Sequence, residues 1–175
     1  METISRALDA LSNGLATVGR FVLLIAMLHV SVDVVLRYGF NMPLTGTIEI
    51  SSYYYMVAVV FLPLAAVEQR NGHIAVEIVA QHLGLNAQRI LIGFVCIVSA
   101  VFYGLLTWRT WLEALEKMHV RETYASSMNL EIWQPRFLLP LGCGLLTVVL
   151  LWKAYRLFAG DARPLDTPQS EDFKE

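Results

Sequence analysis

Charged residues are scarce in this chain, and their scarcity indicates which class of protein it is. Lysine, arginine, aspartate and glutamate make up 16% of its 175 residues, whereas hydrophobic residues make up 56%. Soluble domains carry roughly 25% charged residues. The net charge is only −2 and no block of basic residues occurs, which argues against nucleic acid as a partner. We therefore predict an integral membrane protein whose main surroundings are the lipid bilayer.

Cysteines and histidines are also few, and their positions argue against a metal, a haem or a disulfide framework. Cys96 and Cys143 both lie inside apolar tracts, where a free thiol behaves as a small hydrophobic group. Only His29 of the four histidines lies inside such a tract, whereas a bis-histidine haem needs two. The sequence has no P-loop, G-x-S-x-G or H-E-x-x-H motif. We expect no cofactor and no enzymatic activity.

Four apolar tracts are each long enough to cross a bilayer, for which a helix needs about 20 residues. They predict an all-α integral membrane fold with a single four-helix domain over residues 1–160. Residues 161–175 contain prolines and several acidic side chains, and they predict a disordered cytoplasmic tail. The predicted spans cover about residues 15–36, 48–67, 87–112 and 135–158.

A short amphipathic helix is predicted between the second and third spans, over about residues 73–83. It follows a charged turn that contains Arg70. His73, Glu77 and Gln81 recur at every fourth residue on one side, and apolar residues occupy the other side. A helix of this length reaches about 16 Å, too short for a hydrocarbon core of about 30 Å. We therefore expect it to lie in the membrane interface.

The unequal distribution of lysine and arginine predicts on which side of the membrane the chain ends lie. Four spans place both termini on the same side, and more lysines and arginines fall on that side than on the other. Because positively charged loops tend to stay in the cytoplasm, both termini are predicted to be cytoplasmic. Lys153 and Arg156 would then extend from the end of the fourth span to the lipid headgroups.

Residues that favour helix ends predict where three of the spans begin. Thr45 or Thr47 would cap the second span, because a hydroxyl can accept a hydrogen bond from a free backbone N–H group. Asn86 would cap the third span for the same reason. Pro135 suits the first position of the fourth span, where no backbone N–H group is needed.

Proline and glycine inside the spans predict bends and close helix contacts. Pro63 and Pro140 each remove a backbone hydrogen bond, so we expect kinks there. No glycine or proline follows Gly104 until Pro135, and the third helix is therefore predicted to continue to about Met118, beyond the membrane. Four glycines are predicted to be points of close helix packing: Gly93, Gly104, Gly142 and Gly144.

Ionisable residues inside the first span form one stripe, in which His29, Asp33 and Arg37 recur at every fourth residue. This His29 stripe must point away from lipid, and it offers a contact for another subunit. It indicates either a proton relay through Asp33 or a structural Asp33–Arg37 pair, with His29 hydrogen-bonded to a neighbouring helix. Arg37 favours the ionised form of Asp33 and therefore the structural interpretation.

Charged residues near the outer ends of the spans are further candidates for architecture or partner contact. Glu49 opens the second span, where a carboxylate stabilises the positive end of a helix. Glu113 and Lys117 lie one turn apart on the predicted extension of the third helix, and they can support that exposed turn as an ion pair. Arg121 follows in the loop before the fourth span.

The segment from Pro43 to Val79 resembles the small membrane subunit, of the DctQ type, of tripartite ATP-independent periplasmic (TRAP) transporters. It has an outer-loop proline, a glycine before an acidic residue at the start of the second span, an aromatic-leucine pair, a basic turn and an HI-x-V-acid element. These residues are Pro43, Gly46, Glu49, Phe61, Leu62, Arg70, His73, Ile74, Val76 and Glu77. The chain departs from the family pattern in lacking a tryptophan before Glu49 and in having glutamate, where aspartate is commoner, at position 77.

The resemblance implies a sodium-driven secondary transport system in the bacterial inner membrane, served by a periplasmic solute-binding protein. In such systems a large multi-span membrane subunit carries the substrate and sodium sites, and the small subunit is a non-catalytic scaffold. Typical cargoes are carboxylates and sugar acids. The outer residues Arg37, Glu113, Lys117 and Arg121 would help to receive the binding protein. The candidate architectural or partner-facing residues are Asp33, Arg37, Glu49, Arg70, His73, Glu77, Glu113, Lys117 and Arg121.

Two functions of other classes compete with the scaffold. The first is a self-sufficient small antiporter that dimerises and uses Asp33 as its proton-coupling carboxylate. The second is a membrane anchor for a redox complex, which the single histidine within the spans disfavours. Replacing Asp33 with asparagine separates the first alternative from a scaffold, because the substitution should abolish transport only by the antiporter.

Overall fold

The computed structural model describes residues 2–69, 85–121, 123–124 and 130–159. Helix α1 covers Glu2–Gly39. The second span consists of α2 (Thr47–Ile50), a π-helical turn (Ser51–Tyr55), α3 (Met56–Phe61) and α4 (Leu64–Gln69). Helix α5 covers Leu85–Val120, and a 3₁₀ turn at Pro135–Phe137 leads into α6 (Leu138–Phe158). Two short strands, β1 (Thr123–Tyr124) and β2 (Leu130–Glu131), pair antiparallel between α5 and α6.

Four helical stretches in the described part of the chain are long and apolar enough to cross a membrane, which confirms the predicted all-α membrane fold. They are Ser5–Gly39, Thr47–Gln69, Ile90–Val120 and Pro135–Phe158. The predicted interfacial helix at 73–83, with Arg70, His73 and Glu77, lies outside the described residues, and so does the predicted tail at 161–175.

The helices pack in the order α1, second span, α6, α5. Helix α1 lies against the second span, the second span lies against α6, and α5 and α6 make the most extensive contact. The core is therefore shared by α4, α5 and α6, whereas α1 lies at one edge. The buried apolar residues of this core are Ala65, Ile92, Cys96, Ala100, Leu146, Val149, Leu150, Ala154 and Leu157.

The four glycines predicted to allow close packing do lie at helix contacts. A Cβ atom built on Gly142 would overlap the backbone carbonyl oxygen of Phe61 and lie 2.7 Å from its carbonyl carbon. On Gly93 it would lie 2.7 Å from the ring of Phe158. Gly104 and Gly144 face threonine methyl groups of the neighbouring helix at 3.6 and 3.4 Å. The prediction is confirmed, and Gly142 is the tightest of these positions.

The predicted caps of the second and third spans are wrong. The residue that precedes α2 is Gly46, whose φ of 86° is a left-handed conformation that glycine adopts at little cost. Its carbonyl oxygen accepts the first hydrogen bond of the helix, from the Ile50 N–H group at 2.9 Å. Thr47 instead donates its hydroxyl to the Leu44 carbonyl oxygen at 3.3 Å. Helix α5 already begins at Leu85, so Asn86 lies inside it.

The prolines interrupt the helices at one of the two predicted kinks. Helix α3 ends at Phe61 and α4 begins at Leu64, so the break coincides with Pro63. Helix α6 continues through Pro140, its third residue, because the first N–H groups of a helix need no partner within it. The predicted start at Pro135 is confirmed, and α5 continues to Val120 as its lack of helix breakers predicted.

Candidate functional site

The His29 stripe faces the second span. Nδ1 of His29 and the hydroxyl of Tyr55 form a hydrogen bond of 2.9 Å, and the two rings meet edge to face with centroids 5.7 Å apart. Tyr55 belongs to the π-helical turn of the second span. The predicted hydrogen bond from His29 to a neighbouring helix is confirmed. His29 is therefore half-buried and engaged with the second span of the same chain.

Asp33 connects the outer end of α1 to the loop before the second span. Its Oδ2 atom accepts a hydrogen bond from Nη2 of Arg37 at 2.9 Å, and its Oδ1 atom accepts one from the backbone N–H group of Leu44 at 2.8 Å. Asp33 is only 4% exposed. Both carboxylate oxygens are therefore bonded inside the chain, which confirms the structural pair with Arg37.

The π-helical turn also connects the second span to the short β1–β2 hairpin. The hydroxyl of Tyr54 donates a hydrogen bond to the backbone carbonyl oxygen of Glu131 in β2. The carboxylate of Glu131 accepts a hydrogen bond from the indole Nε1 of Trp133 at 3.0 Å. Consecutive tyrosines thus bind two different neighbours, because Tyr55 bonds to α1. Inserted π turns are frequent at functional sites, and here the turn joins three parts of the outer end.

The outer ends of α5 and α6 are joined by an ion pair. Nη1 of Arg136 lies 3.0 Å from Oε1 of Glu113, whose side chain is 55% exposed. An exposed pair of this kind stabilises a fold by about 1 kcal/mol at most. Lys117 lies half-buried one turn further along α5. Arg121 is exposed and has a φ of 45°, so the chain turns sharply where α5 ends. Glu49 lies half-buried in the first turn of α2, as predicted.

An ion pair that the sequence analysis missed joins the second span to α6. Nζ of Lys153 lies 2.8 Å from Oε1 of Glu68, and the two side chains are 28% and 4% exposed. A rise of about 1.5 Å per residue places Glu68 about 31 Å from Thr47, at the far edge of the hydrocarbon core. Lys153 therefore binds a buried carboxylate instead of extending to the headgroups.

Five polar contacts thus join neighbouring elements: His29 with Tyr55, Asp33 with Leu44, Tyr54 with Glu131, Glu113 with Arg136, and Glu68 with Lys153. Each contact joins two different helices, loops or strands, and it can stabilise their packing. In the described ranges, no group of three histidine, cysteine or acidic side chains is placed to hold a metal ion. Cys96 and Cys143 are buried free thiols in the apolar core.

An apolar groove of about 590 Å³ lies between α1 and the second span. Met27 and Val30 of α1 line one wall, and Tyr55, Met56 and Val60 line the other. The His29–Tyr55 hydrogen bond therefore lies beside this groove. A groove with so few polar groups suits an acyl chain or an apolar helix better than a charged solute.

Comparison with known proteins agrees with the architecture. The family model for the DctQ component of tripartite ATP-independent periplasmic transporters matches residues 26–160. The match begins within α1, covers the other three spans completely, and includes the residues of all five polar contacts. Comparison with curated proteins and with solved structures finds no match to this chain. The chain therefore belongs to the DctQ family, and it is a small membrane subunit of a TRAP-type transporter.

Proposed function

We propose that this chain is a non-catalytic scaffold for the large multi-span membrane subunit of its transporter, in the bacterial inner membrane, with both termini cytoplasmic. It also helps to dock a periplasmic solute-binding protein, and the assembled system takes up carboxylates or sugar acids with a sodium gradient. The predicted interfacial helix, with Arg70, His73 and Glu77, holds the scaffold at a fixed depth in the membrane.

The observation that carries this proposal is the bonding of Asp33. A carboxylate that couples transport to protons must be free to lose and regain its proton during the cycle. Both oxygens of Asp33 are occupied, one by Arg37 and one by a backbone N–H group. This arrangement suits a permanent connection between α1 and the second span, and it supports the scaffold over the self-sufficient antiporter.

Asparagine in place of Asp33 should therefore leave transport measurable in liposomes that contain both membrane subunits, when the binding protein and a sodium gradient are supplied. The amide oxygen of asparagine can still accept the Leu44 N–H bond, and the bond with Arg37 is lost because the amide nitrogen is a donor. The matched control is Arg37→Gln, which removes the same ion pair but keeps the carboxylate. We expect partial losses of uptake rate from both variants, with the larger loss from Arg37→Gln, because that variant leaves a buried carboxylate without the guanidinium beside it.

An antiporter coupled through Asp33 would behave differently in this experiment. It would lose all uptake in Asp33→Asn and keep it in Arg37→Gln. Transport by this chain alone, without the large subunit, would also contradict the scaffold proposal.

A second experiment tests the proposed docking of the solute-binding protein. The test uses Lys117, in the last turn of α5, and the exposed Arg121 that directly follows this helix. Reversing both charges, in Lys117→Glu with Arg121→Glu, should lower uptake about tenfold at low, non-saturating concentrations of binding protein, because charged surfaces steer association. The loss should shrink as the concentration of binding protein rises.

The matched control for this experiment is the exchange Glu113→Arg with Arg136→Glu. It alters two charges in the same region but keeps their sum and allows the ion pair to re-form. We expect near-normal uptake from it. The opposite result is a double variant at Lys117 and Arg121 that matches the uptake of the unaltered protein at every concentration of binding protein. That result would show that the outer end of α5 is not part of the docking surface.

A further inference from the structure

An apolar groove of about 290 Å³ runs between α1 and α6. Its lining residues are Leu8 of α1 and Val148, Leu151, Trp152 and Tyr155 of α6. About half of the surface of Val148, Leu151 and Tyr155 is exposed, so the rest of the described chain leaves the groove open. The indole of Trp152 stacks on the ring of Tyr155, with centroids 5.8 Å apart and planes at 30° to each other. We name this feature the α1–α6 groove.

The ion pair of Glu68 with Lys153 marks the depth of this groove in the membrane. Lys153 lies at the edge of the hydrocarbon core, and it directly follows Trp152 in α6. Val148 comes five residues earlier and therefore lies about 7.5 Å inside that edge, since a helix rises about 1.5 Å per residue. The groove thus begins at the level of the lipid headgroups, beside Trp152 and Tyr155, and continues along the acyl chains of one leaflet.

Arg156 places a positive charge at the headgroup end of the groove. It follows Trp152 by four residues, so the two lie on the same side of α6. It comes three residues after Lys153, which puts it about 4.5 Å beyond the edge of the hydrocarbon core. Lys153 is bound to Glu68, whereas no carboxylate pairs with Arg156 among the residues that the structure describes. The half-buried guanidinium has five N–H donors, and it can therefore bind an anion beside the groove.

We infer that the α1–α6 groove binds one anionic phospholipid of the adjacent leaflet. Its phosphate pairs with Arg156, and one of its acyl chains lies along Leu151 and Val148. Such a lipid matches the site at both ends, because it carries negative charge at headgroup depth and hydrocarbon deeper in the membrane. Basic sites between membrane helices bind anionic headgroups for this reason. The inference goes beyond the proposed scaffold function and does not depend on it.

Other occupants match the site less completely. A zwitterionic phospholipid offers the same phosphate, but its own cation offsets the charge that attracts Arg156. A transmembrane helix of another protein can cover the apolar wall, but it would have to bring an acidic side chain to this depth. Every anionic phospholipid already places its phosphate there.

Native mass spectrometry of the purified full chain tests the inference. The chain is titrated in detergent with phosphatidylglycerol, which is anionic, and separately with phosphatidylcholine, which is zwitterionic. We expect one phosphatidylglycerol to bind more tightly than phosphatidylcholine. Arg156→Gln should weaken the binding of phosphatidylglycerol about fivefold, which is the effect of one arginine near a membrane surface. Arg156→Lys keeps the charge and should retain most of the preference.

Two further variants separate this site from general attraction of lipid. The matched control is Arg109→Gln, which removes an exposed arginine near the opposite end of the bundle and should leave the binding of both lipids unchanged. Val148→Trp fills the apolar part of the groove and should weaken the binding of both lipids alike. Equal affinity of the unaltered chain for the two lipids would overturn the inference, and so would equal losses from Arg109→Gln and Arg156→Gln.

Repeating the titration with the large subunit bound identifies a protein occupant. We expect phosphatidylglycerol to bind at this site both in the chain alone and in the complex. If Arg156→Gln weakened its binding only in the chain alone, the large subunit would cover the groove, and the inference would be wrong. In detergent without lipid, Arg156→Gln should unfold at the same temperature as the unaltered chain, which shows that its loss of binding is not a loss of fold.

Discussion

Replacing Gly142 with valine should separate the second span from α6 and destabilise the folded chain by about 3 kcal/mol, at the upper end of what overpacking costs. A Cβ atom at this position would overlap the carbonyl oxygen of Phe61, which is backbone and cannot rotate away. Phe61 is the last residue of α3, next to the break at Pro63. The two helices must therefore move apart as rigid bodies. Thermal unfolding in detergent micelles or nanodiscs measures the effect.

The matched control is Gly144→Ala, two residues along α6. Its Cβ atom would lie 3.4 Å from the methyl group of Thr107, a side chain that can adjust. We expect this variant to unfold within about 0.5 kcal/mol of the unaltered chain, because most substitutions away from strained contacts are mild. If Gly142→Val unfolded at the same temperature as Gly144→Ala, the close contact of α6 with Phe61 would not exist in the membrane.

The features that could be predicted from the sequence are those that depend on local patterns. The four spans follow from the lengths of the apolar tracts, and the inward orientation of His29 and Asp33 follows from their spacing of four residues. The break at Pro63 follows from the missing N–H group of proline. Even the partner of Asp33 could be predicted, because Arg37 lies one helical turn away.

The features that could not be predicted join residues far apart in the chain. Glu68 and Lys153 are separated by 85 residues, and Tyr54 and Glu131 by 77. A run of charged residues after an apolar tract is typical of a membrane exit, and it does not indicate that Glu68 is buried. Only the packing of the second span on α6 shows that the carboxylate points inward. Membrane proteins satisfy such groups with neighbouring helices, and the sequence does not show which neighbour.

Average hydropathy also concealed the true length of α1. The first span was predicted to begin near residue 15, whereas the helix begins at Glu2. The first half of α1 carries polar residues on its exposed face, and these lower the local hydropathy, although the buried face of the same helix packs on the bundle. A tract that is apolar on one face only is therefore missed by a criterion based on length and mean hydropathy.

Substitution of Lys153 by methionine should be as damaging as the change at Gly142, for an electrostatic reason. It removes the ammonium group that lies 2.8 Å from the carboxylate of Glu68, a side chain only 4% exposed at the edge of the hydrocarbon core. Removing one partner of a buried ion pair typically costs about 3–5 kcal/mol. Arg156→Met, one turn further along the same helix, is the control that removes a cation without touching the pair. The free energy of unfolding, measured in the same detergent for both variants, should separate them by about 3 kcal/mol.

The double variant Glu68→Met with Lys153→Met tests whether the two side chains stabilise the fold as a pair. If the cost of Lys153→Met comes from the lost attraction between Lys153 and the buried carboxylate, removing that carboxylate as well should restore most of the lost stability, because an apolar pair of similar size is often as stable as the ion pair it replaces. The expected coupling energy is about 1–3 kcal/mol. Additive losses would mean that each side chain acts alone. The pair would then not be what holds the second span to α6, just before the chain enters the predicted interfacial helix.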